Sequence, residues 1–159
     1  MRKGIWPQVR KITLNKLLVM KVRPEAKLPE RATPGSAGLD LCACIEEPLT
    51  LEPGGHALVP TGIAIALPGA DCTAFVFARS GLAVKHGLGL ANGVGVIDSD
   101  YRGEVCVGLV NQYEKPHRIL PGERIAQLVV MPVAAMEVTE VETLEDTSRG
   151  SGGFGSTGR

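Results

Sequence analysis

Twenty glycines and eleven prolines cut this 159-residue chain into short apolar segments, and within those segments the hydrophobic residues alternate. In Cys72–Ala78, Phe75 and Phe77 alternate with Cys72, Ala74 and Val76. In 104–111, Val105, Val107 and Leu109 alternate with Cys106, Gly108 and Val110. A period of two puts alternate side chains on opposite faces of a strand, so these segments read as half-buried strands rather than helices. Further strands are expected at 17–22, 38–45, 49–51, 57–60, 63–67, 124–130 and 136–141, with Gly, Pro or acidic turns between them. Such a series predicts an all-β sandwich or barrel. One short helix is expected, with Ser80 as its cap, Gly81–Lys85 as its body and Gly87 as its end.

Charge narrows the function. Seventeen basic residues balance seventeen acidic ones, so no broad positive field exists to hold a phosphate backbone, and nucleic acid is not an expected partner. Residues 1–24 hold seven Lys/Arg and no acid, yet the apolar run Leu17-Leu-Val-Met20 is too short for a signal core or a membrane span. The reading is a basic extension over 1–14, one β domain over 15–145 and a flexible arm over 146–159, with no membrane partner. Cys42, Cys44, Cys72 and Cys106 form no C-x-x-C pair and are not clustered with the three histidines. They read as reduced thiols of a cytoplasmic protein rather than as a zinc site.

Three segments carry chemistry. Val94-Gly-Val-Ile-Asp-Ser-Asp-Tyr-Arg-Gly103 runs an apolar strand into an acidic turn, bringing a carboxylate, a ring and a cation close together. Asp98 there suits either a turn-forming role or general-base work. Arg79-Ser80-Gly81 opens the short helix and suits either a plain cap or a seat for phosphate oxygens. The tail Arg149-Gly-Ser-Gly-Gly-Phe-Gly-Ser-Thr-Gly158 contains G-x-G-x-x-G, but too few residues follow for the helix a dinucleotide fold needs. It reads as a Gly/Ser arm that could order over a nucleotide through Arg149, Phe154, Ser156 and Thr157.

Five segments in order resemble the five motifs of the homotrimeric dUTPase family. They are Pro34-Gly-Ser-Ala-Gly-Leu-Asp-Leu41, Ala78-Arg-Ser-Gly-Leu82, Asn92–Gly103, Pro121-Gly-Glu-Arg-Ile-Ala-Gln-Leu128 and Arg149–Gly158. The resemblance spans about residues 17 to 158. It implies a jelly-roll-like β-sandwich of the β-clip kind, assembled as a homotrimer with shared active sites and closed by a Gly-rich arm. It also implies Mg²⁺-dependent hydrolysis of dUTP to dUMP and pyrophosphate, which keeps uracil out of DNA and supplies dUMP.

Residue by residue, the resemblance implies that Asp98 activates water for attack on the α-phosphorus. Tyr101 would pack under the deoxyribose and exclude a 2′-hydroxyl. Asn92 would read the uracil edge, with Val96, Ile97 and Cys106 as backbone or wall contacts of a hairpin from Asn92 to Cys106. Arg79, Ser80, Gly81 and Gln127 would hold phosphates, and Arg124 would be an ion-pair partner. Asp40 would act on the metal through water or, alternatively, pair with an arginine. Arg149, Ser156 and Thr157 would hold the γ-phosphate, with Phe154 stacked on uracil beside Gly155. Two other functions compete with this one. A dCTP deaminase of the same fold would need a glutamate where Gly108 stands, and Val105–Val110 holds no carboxylate. A non-catalytic scaffold would be expected to have lost the acid, the tyrosine or the arm.

Overall fold

A computed structural model describes residues 16–153 of the chain. Ten strands and one helix follow in the order β1 (Leu18–Lys21), β2 (Leu39–Cys42), β3 (Leu49–Leu51), β4 (His56–Ala66), β5 (Cys72–Ala78), α1 (Ser80–His86), β6 (Leu88–Leu90), β7 (Gly95–Ile97), β8 (Glu104–Asn111), β9 (His117–Ile119) and β10 (Arg124–Pro132). They form two four-stranded antiparallel sheets, β1-β4-β8-β6 and β2-β10-β5-β7, with β3 and β9 paired at one side. This is the all-β architecture that the alternation implies. No helix among the described residues is long and apolar enough to cross a membrane.

The core lies between the two sheets. The β8 pattern is strict: Val105, Val107 and Leu109 are buried, and the residues between them are half-exposed. They pack with Val59 and Ile63 from β4 and with Ala74, Ile125 and Leu128 from the other sheet. Burying each such aliphatic side chain stabilises the fold by about 1.5–3 kcal/mol. At the end of β8 the pattern places Asn111 inside, fully buried. Its amide donates to Leu51 O (2.9 Å) and Lys115 O (2.8 Å) and accepts from the Tyr113 N–H (3.0 Å). A polar side chain is tolerated there because its hydrogen-bonding capacity is met by backbone.

Four local expectations are corrected. The two strands read at 57–60 and 63–67 are one long β4, interrupted by a register shift between Pro60 and Ala64 rather than by a turn. No strand forms at 136–141: Met136 and Val138 are 81% and 95% exposed, and the segment pairs with none of the strands among the described residues. The N-cap of α1 is Arg79, in extended conformation and without a side-chain cap bond, so Ser80 is already the first helical residue. Gly87 ends the helix in the left-handed region as expected. Finally, the run from Asn92 to Cys106 is not a hairpin, because β7 pairs with β5 and β8 pairs with β4 and β6.

Candidate active site

That last correction creates the site. The chain leaves β6 in one sheet, crosses at 91–94 to β7 in the other, and crosses back through 98–103 to β8. Between the two crossings lies a cavity of about 370 Å³, lined by Asn92, Val96, Ile97, Asp98, Tyr101, Glu104 and Cys106, with Val76, Leu90 and Gly108 among its apolar or small walls. This is a size that suits a small organic ligand. β7 is an edge strand, so the backbone N–H and C=O groups on its side away from β5 have no ladder partner and remain available to a ligand.

The 98–103 crossing is tied to itself. Tyr101 N–H donates to Asp98 O (3.2 Å), and the Arg102 guanidinium donates to Ser99 O (2.9 Å) and Tyr101 O (2.8 Å). The Tyr101 ring lies against Gly103: a Cβ there would stand 2.4 Å from the phenol oxygen and 2.6 Å from Cζ. Glycine is required because the ring occupies the space a side chain would take. The phenol donates onward to Glu104 O (3.0 Å). Asp98, by contrast, is exposed, and among the described residues nothing donates to its carboxylate or pairs with it. An uncommitted carboxylate on a bonded turn can accept a proton from a water molecule beside it.

A second cluster is built around Asp40 on β2. Its Oδ1 lies 3.1 Å from Arg79 Nε and its Oδ2 accepts from Arg124 at 2.9 Å. Arg79 also donates to Arg124 O (2.8 Å), closing a triangle across β2, β10 and the start of α1. On β10, Gln127 faces both Asp40 and Phe77 in register and donates its amide to Ala78 O (3.0 Å). Gly38 lies under that amide, where a Cβ would come within 2.7 Å of its oxygen. The structure therefore joins Asp40, Arg79, Arg124 and Gln127, with Ser80 and Gly81 exposed at the head of α1. It does not bring this cluster into the 370 Å³ cavity.

Arg149 stands in an exposed turn at 147–150, with Gly150 N–H donating to Thr147 O (3.0 Å). Phe154, Gly155, Ser156, Thr157 and the 1–14 extension lie outside the described residues. Among the described residues no group of three or more His, Cys, Asp or Glu could hold a metal ion. Asp40, the one carboxylate in the arginine cluster, is already shared by two guanidinium groups.

All four cysteines are free thiols: Cys44 and Cys72 are buried, while Cys42 and Cys106 are half-buried. Burial pushes Cys42, Cys44 and Cys106 up from the ordinary thiol value, so they remain protonated at neutral pH. Four residues that shape the site have no role assigned from the sequence: Gly38, Gly103, Arg23 and Glu104. The two glycines belong to the first and third of the five motifs, and their close contacts show only in the folded chain. Arg23 and Glu104 are 81 residues apart and share no local signal.

Residues 24–158 match the family model described as dUTPase. This chain belongs to the dUTPase family. A deoxyuridine 5'-triphosphate nucleotidohydrolase of Desulfitobacterium hafniense (strain DSM 10664 / DCB-2) is 58% identical over 132 residues, covering 83% of this chain and 87% of that protein. One from Thiobacillus denitrificans is 51% identical over 141 residues, covering 89% and 97%. Among solved structures, the dUTPase of Staphylococcus bacteriophage 80alpha with dUpNHpp aligns at a TM-score of 0.82 and 30% identity, covering 91% of this chain and 99% of that one. A dUTPase mutant from phage phi11 of S. aureus, described as revealing the coordination of a structural Mg(II) ion, aligns at 0.74 and 25% identity, covering 83% and 100%.

Proposed function

We propose that the cavity between β7 and β8 binds the uracil and deoxyribose of dUTP and that Asp98 activates the attacking water. The chain is a dUTP diphosphatase. The observation that carries the finer reading is that a single cavity gathers Asn92, the open edge of β7, Asp98 and Tyr101. Fixed backbone groups along Val96 and Ile97, together with the Asn92 amide, suit the donors and acceptors of uracil. Cytosine would leave some of them unpaired, and unpaired buried polar groups cost about 1–3 kcal/mol each. Cys106 forms a neutral wall.

The Tyr101 ring, held by Gly103 and Glu104, packs under the deoxyribose in this reading and refuses a 2′-hydroxyl by clash. Asp98 takes a proton from water, and the resulting hydroxide attacks the α-phosphorus. The bond to the bridging oxygen breaks, leaving dUMP and pyrophosphate. Alignment of water and phosphate supplies much of the acceleration, because the turn carrying Asp98 is bonded in place.

Arg79, Ser80, Gly81 and Gln127 would hold the phosphate chain. That cluster lies outside the base cavity, which supports a site completed by another copy of the chain, as in a homotrimer with shared active sites. Arg149 and the arm residues Phe154, Gly155, Ser156 and Thr157 would close over the bound nucleotide.

The donor set does not fit a protein cage, so a magnesium ion would be carried by the triphosphate. Bound there, the ion would supply charge neutralisation on the phosphates. Asp40, with one oxygen on Arg79 and the other on Arg124, takes the second of its two expected roles, the arginine partner. Four free thiols accord with a reducing cytoplasm.

The test is pyrophosphate release from dUTP, dCTP, dTTP and UTP with and without Mg²⁺. Rapid, Mg²⁺-dependent cleavage of dUTP alone is expected, and cleavage of UTP at a comparable rate would overturn the role given to Tyr101. Glu104 also lines the cavity, but its carboxylate is committed elsewhere, so it does not revive a deaminase reading.

A further inference from the structure

Glu104 is where the β4–β8 ladder breaks. Pro60 faces Cys106 and Ala64 faces Glu104, so β4 spends two more residues than β8 over the same span. Regular ladder bonds cannot continue across that step. Side-chain bonds take their place: the buried Thr61 hydroxyl donates to Val105 O (2.5 Å), and the Gly62 N–H donates to Glu104 Oε1 (2.8 Å). Arg23, just past β1, completes the arrangement with Nε on Oε1 at 2.7 Å and a terminal nitrogen on Oε2 at 3.0 Å.

The bulge itself has one shape available. Gly62 sits at φ +72°, and a Cβ there would come within 2.6 Å of the Ala26 methyl and 2.7 Å of Cys44 Sγ. Its carbonyl accepts from Val22 N–H at 2.8 Å, binding the end of β1 to the same point. Both oxygens of Glu104 are therefore committed, and residue 104 is tied to β4 by pairing with Ala64 and by the Gly62 N–H, and to the end of β1 by Arg23. The Tyr101 phenol donates to the carbonyl of this same residue.

We propose that the Arg23–Glu104 pair is a positioning device that sets how far the Tyr101 ring stands into the base cavity, and so how strongly a ribose is refused. This rests on the reading of Tyr101 as the sugar-contacting ring. A bidentate Arg–carboxylate pair suits such a role because its two parallel bonds fix orientation as well as distance. Neither residue needs to touch the substrate.

The experiment compares kcat/KM for dUTP and UTP in the full-length wild type and in Glu104→Ala, Arg23→Ala and Tyr101→Phe, each assayed well below its melting temperature. The dUTP preference should shrink about tenfold in each variant, the effect of losing a bond or so from the transition-state complex. The Glu104→Ala/Tyr101→Phe double variant should lose no more than either single one, since both act through one contact. Arg23→Lys should recover part of the preference.

A merely structural role would lower Tm, or lower kcat for both substrates alike, and leave the ratio intact. An intact ratio in either alanine variant overturns the inference. Arg23, half exposed, decides the matter alone if Glu104→Ala fails to fold. A wild type that cleaves UTP as readily as dUTP sinks the reading of Tyr101 instead, and the positioning role falls with it.

Discussion

The two halves of the candidate site are built on opposite plans. At the base end, a bonded turn, a glycine under a ring and an open strand edge present mostly neutral groups, and the Asp98 carboxylate is not paired with a cation among the described residues. At the candidate phosphate end, two arginines share one aspartate through two ion pairs, and a hydrogen bond from Arg79 to Arg124 O closes the triangle. On the proposed function, shape would discriminate at the first end, where a misplaced polar group would find no partner. Charge would bind at the second, where Asp40 holds two arginines in place. Selectivity and affinity would then be carried by different strands, and substitutions should separate them.

Asp98→Asn tests that separation most severely. Hydrolysis should fall by about 10²–10⁴-fold, the usual worth of a general base, while dUTP binding measured by calorimetry largely survives. Binding lost together with turnover would make Asp98 a substrate ligand. Arg79→Ala comes next. Loss of a charge-assisted phosphate contact of about 1.5–3 kcal/mol should raise KM for dUTP roughly ten- to hundredfold without changing the dUTP:UTP ratio. A changed ratio would mean that the two ends are not independent.

Gly103→Ala should do the reverse. Displacing the Tyr101 ring should erode the preference for dUTP over UTP about tenfold, while phosphate affinity, read from pyrophosphate inhibition, stays near wild type. The smallest effect is a pH dependence. Arg23 holds the Glu104 carboxyl below its ordinary value, with the Gly62 N–H adding to the effect against a partly opposing burial. A depressed carboxyl stabilises the fold fully above its unfolded value of about 4.3 and loses that contribution as pH falls through the folded value. The difference in Tm between wild type and Glu104→Gln should therefore be steady from pH 7 to 5 and vanish at more acid pH.

Much of this was legible in the sequence because it is local. Alternation located β5 and β8 at their observed ends, and the 92–103 segment contains its own turn, ring and glycine. Where the reading failed, the cause lies in pairing. Pro60-Thr-Gly62 looks like a turn, yet side-chain bonds from Thr61 and to Glu104 carry β4 straight through it. Met136–Val141 has strand-like alternation, but alternation alone does not make a strand, and this segment pairs with none of the edges among the described residues. Ser80 is a good capping residue, but Arg79 is held extended by its bonds to Asp40 and Arg124, so the cap falls on Arg79 and the helix starts one residue earlier. Short β6 and β9 carry too few residues for a period to show.

The brevity of the strands around the cavity has a consequence for solubility. An exposed sheet edge invites a foreign strand to add to it, and β6 and β7 are both edges. Each is only three residues long, and the chain turns away to the other sheet at 91–94 and again at 98–103. A passing polypeptide would find too short a rail to grip, so the backbone groups left open for a small ligand are shielded from fibre-like stacking.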